Sequence, residues 1–227
     1  MTKKIKILPN GPYEISADVP LKKNTILTDK EGVSTAWGEG KTYDTPKDKP
    51  YHVCRCGRSK KSPFCDGAHA KIGFKGTETA DNAPYMENVT VYKGPHGTLL
   101  DNEALCAVGR FCDRAGQVWN LIEEDSKESF DTAVEEACNC PAGRLTIVKD
   151  GKHIEPKLPQ EVGAVQDPQK NHRGPLWVKG GIEVEGATGV KYEKRNRVTL
   201  CRCGESGNMP FCDASHLMCK HMEKPDA

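Results

Sequence analysis

Residues 54–69 read CRCGRSKKSPFCDGAH and residues 201–216 read CRCGESGNMPFCDASH. Both follow C-x-C-x8-C-x3-H, and ten of the sixteen positions are identical, including Cys-Arg-Cys-Gly, Pro-Phe-Cys-Asp, Ser59 with Ser206, and the closing His69 and His216. A repeat this long with no insertion is not a chance event, and it divides the chain into related parts. Upstream the likeness is weaker. Gly11-Pro12 opens GPYEISADVPL and Gly174-Pro175 opens GPLWVKGGIEV, each with strand-like alternation. The first copy then carries the polar stretch GEGKTYDTPKDKP, which reads as a loop, whereas KYEKRNRVTLCRC runs into the second motif as a strand. Each copy is too small to bury much of a core alone, so packing of the two together, or a bound metal centre, must supply part of the stability.

Between the copies the pattern changes. SKESFDTAVEEACN (126–139) places Phe130, Ala133, Val134 and Ala137 at helical spacing, with Ser126 or Ser129 as N-cap and Pro141 and Gly143 as the stop. RLTIVKDG follows as strand and turn. Residues 154–175 hold four prolines and little periodicity, and read as an ordered connector. The last ten residues read as a polar, frayed end. Three segments result: 1–80, 81–150 and 151–227.

Composition narrows the function. Lys and Arg total 33 against 32 Asp and Glu, a net charge of +1, which gives no case for nucleic acid or an anionic membrane surface. No apolar run approaches the ~18 residues that span a bilayer. The opening MTKKIKILPNGP is interrupted at Pro9 and is not a signal peptide, so the expectation is a soluble, cytoplasmic protein. Eleven cysteines, an odd number in tight clusters, fit poorly with a closed set of disulfides and point to metal or redox chemistry in a reducing compartment.

Each repeat gathers three thiols and one imidazole: Cys54, Cys56, Cys65 and His69, then Cys201, Cys203, Cys212 and His216. Cys65 and His69 stand four apart, so a short helix with Pro63 in its first turn and Ser62 as cap sets both on one face. Met209 occupies the matching cap position in the second copy, where that capping argument does not apply. From spacing alone, tetrahedral zinc and an iron–sulfur cluster are both open.

The first motif resembles the CDGSH iron–sulfur motif of mitoNEET-type proteins, C-x-C-x2-S/T-x3-P-x-C-D-G-S/A/T-H, at every position. The second departs only at Ala214, where the family has Gly; if that position needs positive φ, the methyl strains the site. The resemblance implies a 2Fe–2S cluster in each motif, held by three Cys and one His. A neutral imidazole in place of a thiolate makes the site less negative, so its potential should lie above the roughly −400 mV of plant-type ferredoxins. The imidazole also adds a protonation site, which implies a pH-dependent potential and acid-labile clusters, with His69 and His216 as the weak ligands. Asp66 and Asp213 read either as supports behind the ligands or as helix N-terminal carboxylates.

The middle segment holds Cys106-x5-Cys112 and Cys138-x-Cys140-Pro141. CAVGRFC and CPAGRL resemble a divergent single-cluster 4Fe–4S domain, a type that also occurs joined to CDGSH motifs. Cys106, Cys112 and Cys140 carry over as ligands. Val108 stands where that family often has His, leaving Cys138 as the candidate fourth ligand, with zinc or plain buried thiols as the alternative. Cys219 and His221 lie in the polar tail and are read as unliganded. His52 is read as a strand neighbour only, and His96, His153 and His172 have no matching ligand partners. Trp37, Trp119 and Trp177 are read as core packing or as shields over clusters.

The expected architecture is α+β and β-rich: two small CDGSH units packed as an intramolecular pseudo-dimer, with a small ferredoxin-like insert. Single-motif relatives form strand-swapped dimers, which implies a monomer here. The implied function is cluster binding for electron transfer, redox sensing or cluster transfer to a redox partner or an apo-protein. The alternative is a zinc-binding interaction module. No phosphate loop, dinucleotide fingerprint or nucleophile elbow argues for an enzyme.

Overall fold

The computed structural model describes residues 3–224 and 226. The chain opens with β1 (Lys4–Ile7), β2 (Tyr13–Ile15), β3 (Leu21–Thr28), β4 (Ser34–Thr42) and β5 (Tyr51–Val53), the last running straight into Cys54. A one-turn helix, α1 (Ala68–Lys71), closes the first motif. The middle segment contributes β6 (Thr90–Lys93), β7 (Thr98–Asp101), α2 (Val118–Glu123), α3 (Lys127–Asn139), β8 (Leu145–Lys149) and β9 (Lys152–Ile154). The chain continues with β10 (Val162–Asp167), β11 (His172–Lys179), β12 (Glu183–Glu185) and β13 (Arg197–Leu200), which delivers Cys201.

Two sheets carry the repeats, in the orders β12-β1-β2-β5 and β13-β11-β10-β3-β4. Reading the repeat onto them makes β1, β2 and β5 the counterparts of β10, β11 and β13. In each copy an antiparallel hairpin containing Gly-Pro pairs with the strand that enters the motif. The fourth strand of each sheet comes from the other copy. Leu21–Thr25 of β3 runs parallel to Val162–Gln166, and Glu183–Glu185 of β12 runs parallel to Lys4–Lys6. One continuous core lies between them, with Ile5, Ile7, Tyr13 and Leu21 packed with Leu176, Val178, Val198 and Leu200. Apolar burial is shared across the repeat boundary, which answers the shortage of core in either copy alone.

The middle segment is an antiparallel meander, β6-β7-β8-β9, with α2 and α3 packed on one face through Val118, Ile122, Phe130 and Ala133 against Leu99, Leu145 and Ile147. Ser126 caps α3 by accepting from the Ser129 amide at 3.3 Å. β9 lies beyond residue 150 and belongs to this sheet. The body is fastened to the second copy by buried Arg197 on β13, which donates to the carbonyls of Ala137 and Cys140 near the end of α3. Arg110 grips Asp167 with two hydrogen bonds of 2.6 and 3.0 Å. Trp37, Trp177 and Phe111 stack at the same junction, with ring centroids 4.6 and 4.9 Å apart, so Trp37 and Trp177 serve packing.

Three readings of the sequence are corrected. Residues 154–175 are not a connector throughout: β10 and the start of β11 lie there. Every residue of β10 is buried, so the alternation that marks a half-exposed strand is missing. Pro175 is accommodated where the β10–β11 register shifts. The stretch GEGKTYDTPKDKP is a loop only in its second part, since β4 runs to Thr42. Of the last ten residues, read as frayed, Cys219, Met222 and Asp226 are buried and Asp226 meets Arg202 at 2.8 Å, while 225 and 227 lie outside the described residues.

Candidate metal centres

β5 and β13 each end at the first cysteine of a motif. The following turn, Cys-Arg-Cys-Gly, is fixed by its arginine. Arg55 donates to the carbonyls of Gly11, Leu8 and Gly76, and Arg202 donates to Gly174 and Val165 while pairing with Asp226. Each guanidinium thus locks the C-x-C turn onto the Gly-Pro hairpin of its own copy. The identical Arg in both repeats was the available signal for this role. The chain then returns alongside: the Cys54 amide donates to Pro63 and the Cys65 amide to His52, and the Cys201 and Cys212 amides donate likewise to Pro210 and Thr199. Ser59 and Ser206 hydroxyls donate to the carbonyls of Phe64 and Phe211 at 2.6 and 2.7 Å.

The short helix expected to begin at Pro63 does not. Pro63 lies in the returning segment, and α1 starts only at Ala68. Cys65 and His69 are brought together by a turn at Gly67 (φ +85°), and the second copy repeats that turn with Ala214 at φ +70°. Asp66 and Asp213 secure it. Each carboxylate accepts the amide two residues on, from Ala68 or Ser215, and an amide of the loop between the paired cysteines and the turn, from Lys60 or Gly207.

The donors arrive as pairs. Cys54 Sγ lies 3.8 Å from Cys56 Sγ, and Cys65 Sγ lies 3.4 Å from His69 Nδ1. The second copy repeats this at 3.6 Å for Cys201–Cys203 and 3.5 Å for Cys212–His216 Nδ1. Among the described residues, no three His, Cys, Asp or Glu side chains converge on a single metal-ion position. Backbone amides point at the sulfurs: Gly67 at Cys65, Gly204 at Cys201, Glu205 at Cys203 and Ala214 at Cys212. Such donors favour anionic sulfur. Hydrogen bonding within the Cys54–Cys56 pair lowers the Cys54 thiol, helped by the Ser59 and Gly57 amides against burial, and raises that of Cys56. The equivalent bond in the second copy lowers Cys201 and raises Cys203. Burial pushes the Cys65 and Cys212 thiols up. His216 is lowered to about 4 by burial, with the Arg202 and His172 charges adding to it.

The two sites differ in exposure. Cys65 and His69 are partly open to solvent, whereas Cys212 and His216 are 3% and 4% exposed. The second site is covered by the middle segment. Asn208 donates to the Ala104 carbonyl at 3.0 Å, and Cys212 packs with Ala107 and Ala142.

In the middle segment, Cys106, Cys112 and Cys140 line one cavity of about 170 Å³, together with Val108, Arg110, Asp113, Trp119 and Arg144. Cys138 is not there. It lies inside α3 with its sulfur 4.0 Å from the Ile154 carbonyl, whereas Cys140, two residues on, is the C-cap, where the backbone has left the helix and turns extended. The fourth-ligand reading for Cys138 is therefore not supported by its placement. Burial, with the Asp113 charge adding to it, pushes the Cys112 thiol up to about 12. Trp119 donates to Asp101, which also holds Arg144 at 2.6 and 2.8 Å, so one carboxylate orients two walls of the cavity.

The remaining candidates lie elsewhere. His52 faces Glu14 across β5 and β2, His96 pairs with Asp125, His153 lies on β9 and His172 begins β11. Cys219 is buried rather than in an open tail, with its thiol donating to the Ser215 carbonyl and packing beside Cys201 and Cys203. His221 Nε2 lies 2.9 Å from the Cys203 carbonyl oxygen.

Comparison with known families agrees with this arrangement. Residues 10–70 and 173–217 match the family described as iron-binding zinc finger CDGSH type. Residues 92–150 match the divergent 4Fe-4S mono-cluster family. The chain is therefore built of two CDGSH-type regions flanking a divergent 4Fe–4S region, an architecture of iron–sulfur cluster binding. No curated protein and no solved structure matches it.

Proposed function

We propose that this chain is a three-centre iron–sulfur electron-transfer protein, with a 2Fe–2S cluster in each CDGSH motif and a 4Fe–4S cluster at Cys106, Cys112 and Cys140. The observation that carries the reading is the pairing of donors. A zinc ion needs four donors within roughly 2.0–2.3 Å of one point. Here each motif offers a Cys–Cys pair and a Cys–His pair without a convergent trio, a donor set that would hold a two-iron cluster better than a single zinc ion. The middle cavity likewise gathers three thiols around a volume rather than a point.

When bound, such clusters supply one-electron chemistry at potentials set by ligand charge, hydrogen bonds to sulfur and solvent exposure. This chain's residues set each of these. Nδ1 of His69 and His216 faces the partner thiol, so a neutral imidazole stands where a fourth thiolate would add negative charge. The amides of Gly204, Glu205, Gly67 and Ala214 stabilise anionic sulfur. The reciprocal strands β3 and β12 support reading the two CDGSH units as an intramolecular pseudo-dimer, and hence a single chain as the working unit. The partner is a one-electron donor or acceptor protein, and no substrate chemistry is assigned to the chain.

Mössbauer spectra of iron-57-labelled protein test the assignment. Two-iron and four-iron clusters in a ratio of two to one are expected. A colourless protein whose thiols hold mononuclear zinc overturns it in favour of a structural module.

A further inference from the structure

Three features set the second CDGSH centre apart from the other two. It is enclosed: Cys201, Cys203, Cys212 and His216 are all at most 4% exposed, whereas Cys65 and His69 of the first centre and Cys106, Cys112 and Cys140 of the middle one reach the surface. It touches the first centre through backbone. A Cβ on Gly57 would lie 2.7 Å from the Cys203 carbonyl oxygen, and one on Gly204 would lie 3.0 Å from that of Cys56, so the two C-x-C turns pack main chain against main chain. It touches the middle centre on its other side. Cys212 forms one packed cluster with Ala107 and Ala142, against which Cys140 and Leu105 lie. Ala107 directly follows ligand candidate Cys106, and Ala142 is two residues beyond Cys140. No residue of the first motif belongs to that cluster.

An enclosed redox centre has no surface at which a partner can dock, so its electrons must come and go through its neighbours. We propose that the second CDGSH centre is the interior junction of a three-centre relay. It exchanges electrons with the first centre across the Cys56–Gly204 and Gly57–Cys203 contacts, and with the middle centre across Cys212, Ala107 and Ala142. The first and middle centres are the two terminals at which outside one-electron carriers dock. With clusters held by these residues, each internal step would pass one electron from a reduced centre to its oxidised neighbour, with no bond made or broken. The net electron is supplied and removed by one-electron redox proteins at the terminals. The relay rests on the cluster assignment above and adds an order to it.

The test uses the whole holoprotein, prepared anaerobically, with iron and sulfide counted first. After full reduction with dithionite, electron paramagnetic resonance should show the second centre's signal split or broadened by both neighbours. A soluble dysprosium chelate should speed relaxation of the first and middle signals and leave the second unchanged. In the C201S/C203S variant, the middle signal should revert to that of an isolated cluster. If that variant does not fold, the wild-type splitting and the chelate experiment still decide. Full iron and sulfide with a spectrum equal to three non-interacting clusters, or with the second centre relaxed by the chelate, overturns the relay while leaving the cluster assignment intact. Absence of bound sulfide overturns the assignment, and the relay with it.

Discussion

Gly67 and Ala214 hold the same left-handed backbone conformation, φ +85° and φ +70°, at the turn that brings a cysteine to its histidine in each copy. An L-residue with a Cβ there costs roughly 1–2 kcal/mol relative to glycine. Nothing lies within 4 Å of where a Cβ on Gly67 would sit, so the cost is one of backbone alone. Ala214→Gly should therefore stabilise the holoprotein by about 1 kcal/mol, and Gly67→Ala should destabilise it by a similar amount. Urea unfolding of the two variants checks the pair. A large loss in Gly67→Ala would mean that the turn does more than set φ.

The exchanged strand β3 is tied to the second copy by Glu161. Its carboxylate lies 2.8 Å from Lys22 of β3 and 2.6 Å from Lys179 of β11. Burial raises this carboxyl, but the hydrogen bonds from Lys179 and Lys22 outweigh that and hold it below the ordinary range. Because the folded value is depressed, the stabilisation is fully present above the unfolded value of about 4.3 and is lost as pH falls through the lower folded value. Glu161→Gln should cost about 3 kcal/mol at pH 7. The difference from wild type should shrink towards zero below about pH 4. Denaturant midpoints of both proteins across that range measure it, and a difference independent of pH would contradict the ion-pair account.

Acid should empty the two CDGSH sites in order. His69 is partly exposed and His216 is 4% exposed, so water and protons reach the first imidazole more readily. Stepwise acidification followed by Mössbauer spectroscopy of selectively disabled proteins (C54S/C56S or C201S/C203S) should show the first cluster lost before the second. Simultaneous loss would mean that the cover from the middle segment does not protect the ligand.

In the middle segment, Cys106→Ser, Cys112→Ser and Cys140→Ser should each remove roughly four irons per chain. Cys138→Ser should leave the iron content unchanged, because its sulfur faces the Ile154 carbonyl rather than the cavity. Iron analysis of the four variants decides this, and loss of iron in Cys138→Ser would return that thiol to the ligand set.

Much of the site was written in the sequence because metal ligands leave a fixed spacing. The C-x-C turn, the returning cysteine and the final histidine can be read directly, while positive φ at position 214 followed only as a condition on the resembled family's Gly, and the backbone meets it. Helix α3 announced itself through Ser126 and an apolar face at Phe130, Ala133 and Ala137. The central strand β10 did not, since complete burial from Val162 to Asp167 erases the alternation that marks a half-exposed strand. The pairing of β3 with β10 joins residues more than a hundred positions apart, and no local pattern encodes it. Val108 stands where the resembled domain often has His, which left Cys138, of the pair Cys138 and Cys140, as the candidate fourth ligand. Here the first of them sits within a helix, and the helix turns its sulfur away from the cavity.

Elemental analysis of the anaerobically purified chain bears most directly on the account. About eight irons and a matching amount of acid-labile sulfide per chain, with no zinc, is the predicted result for two two-iron clusters and one four-iron cluster. Stoichiometric zinc without labile sulfide would contradict it.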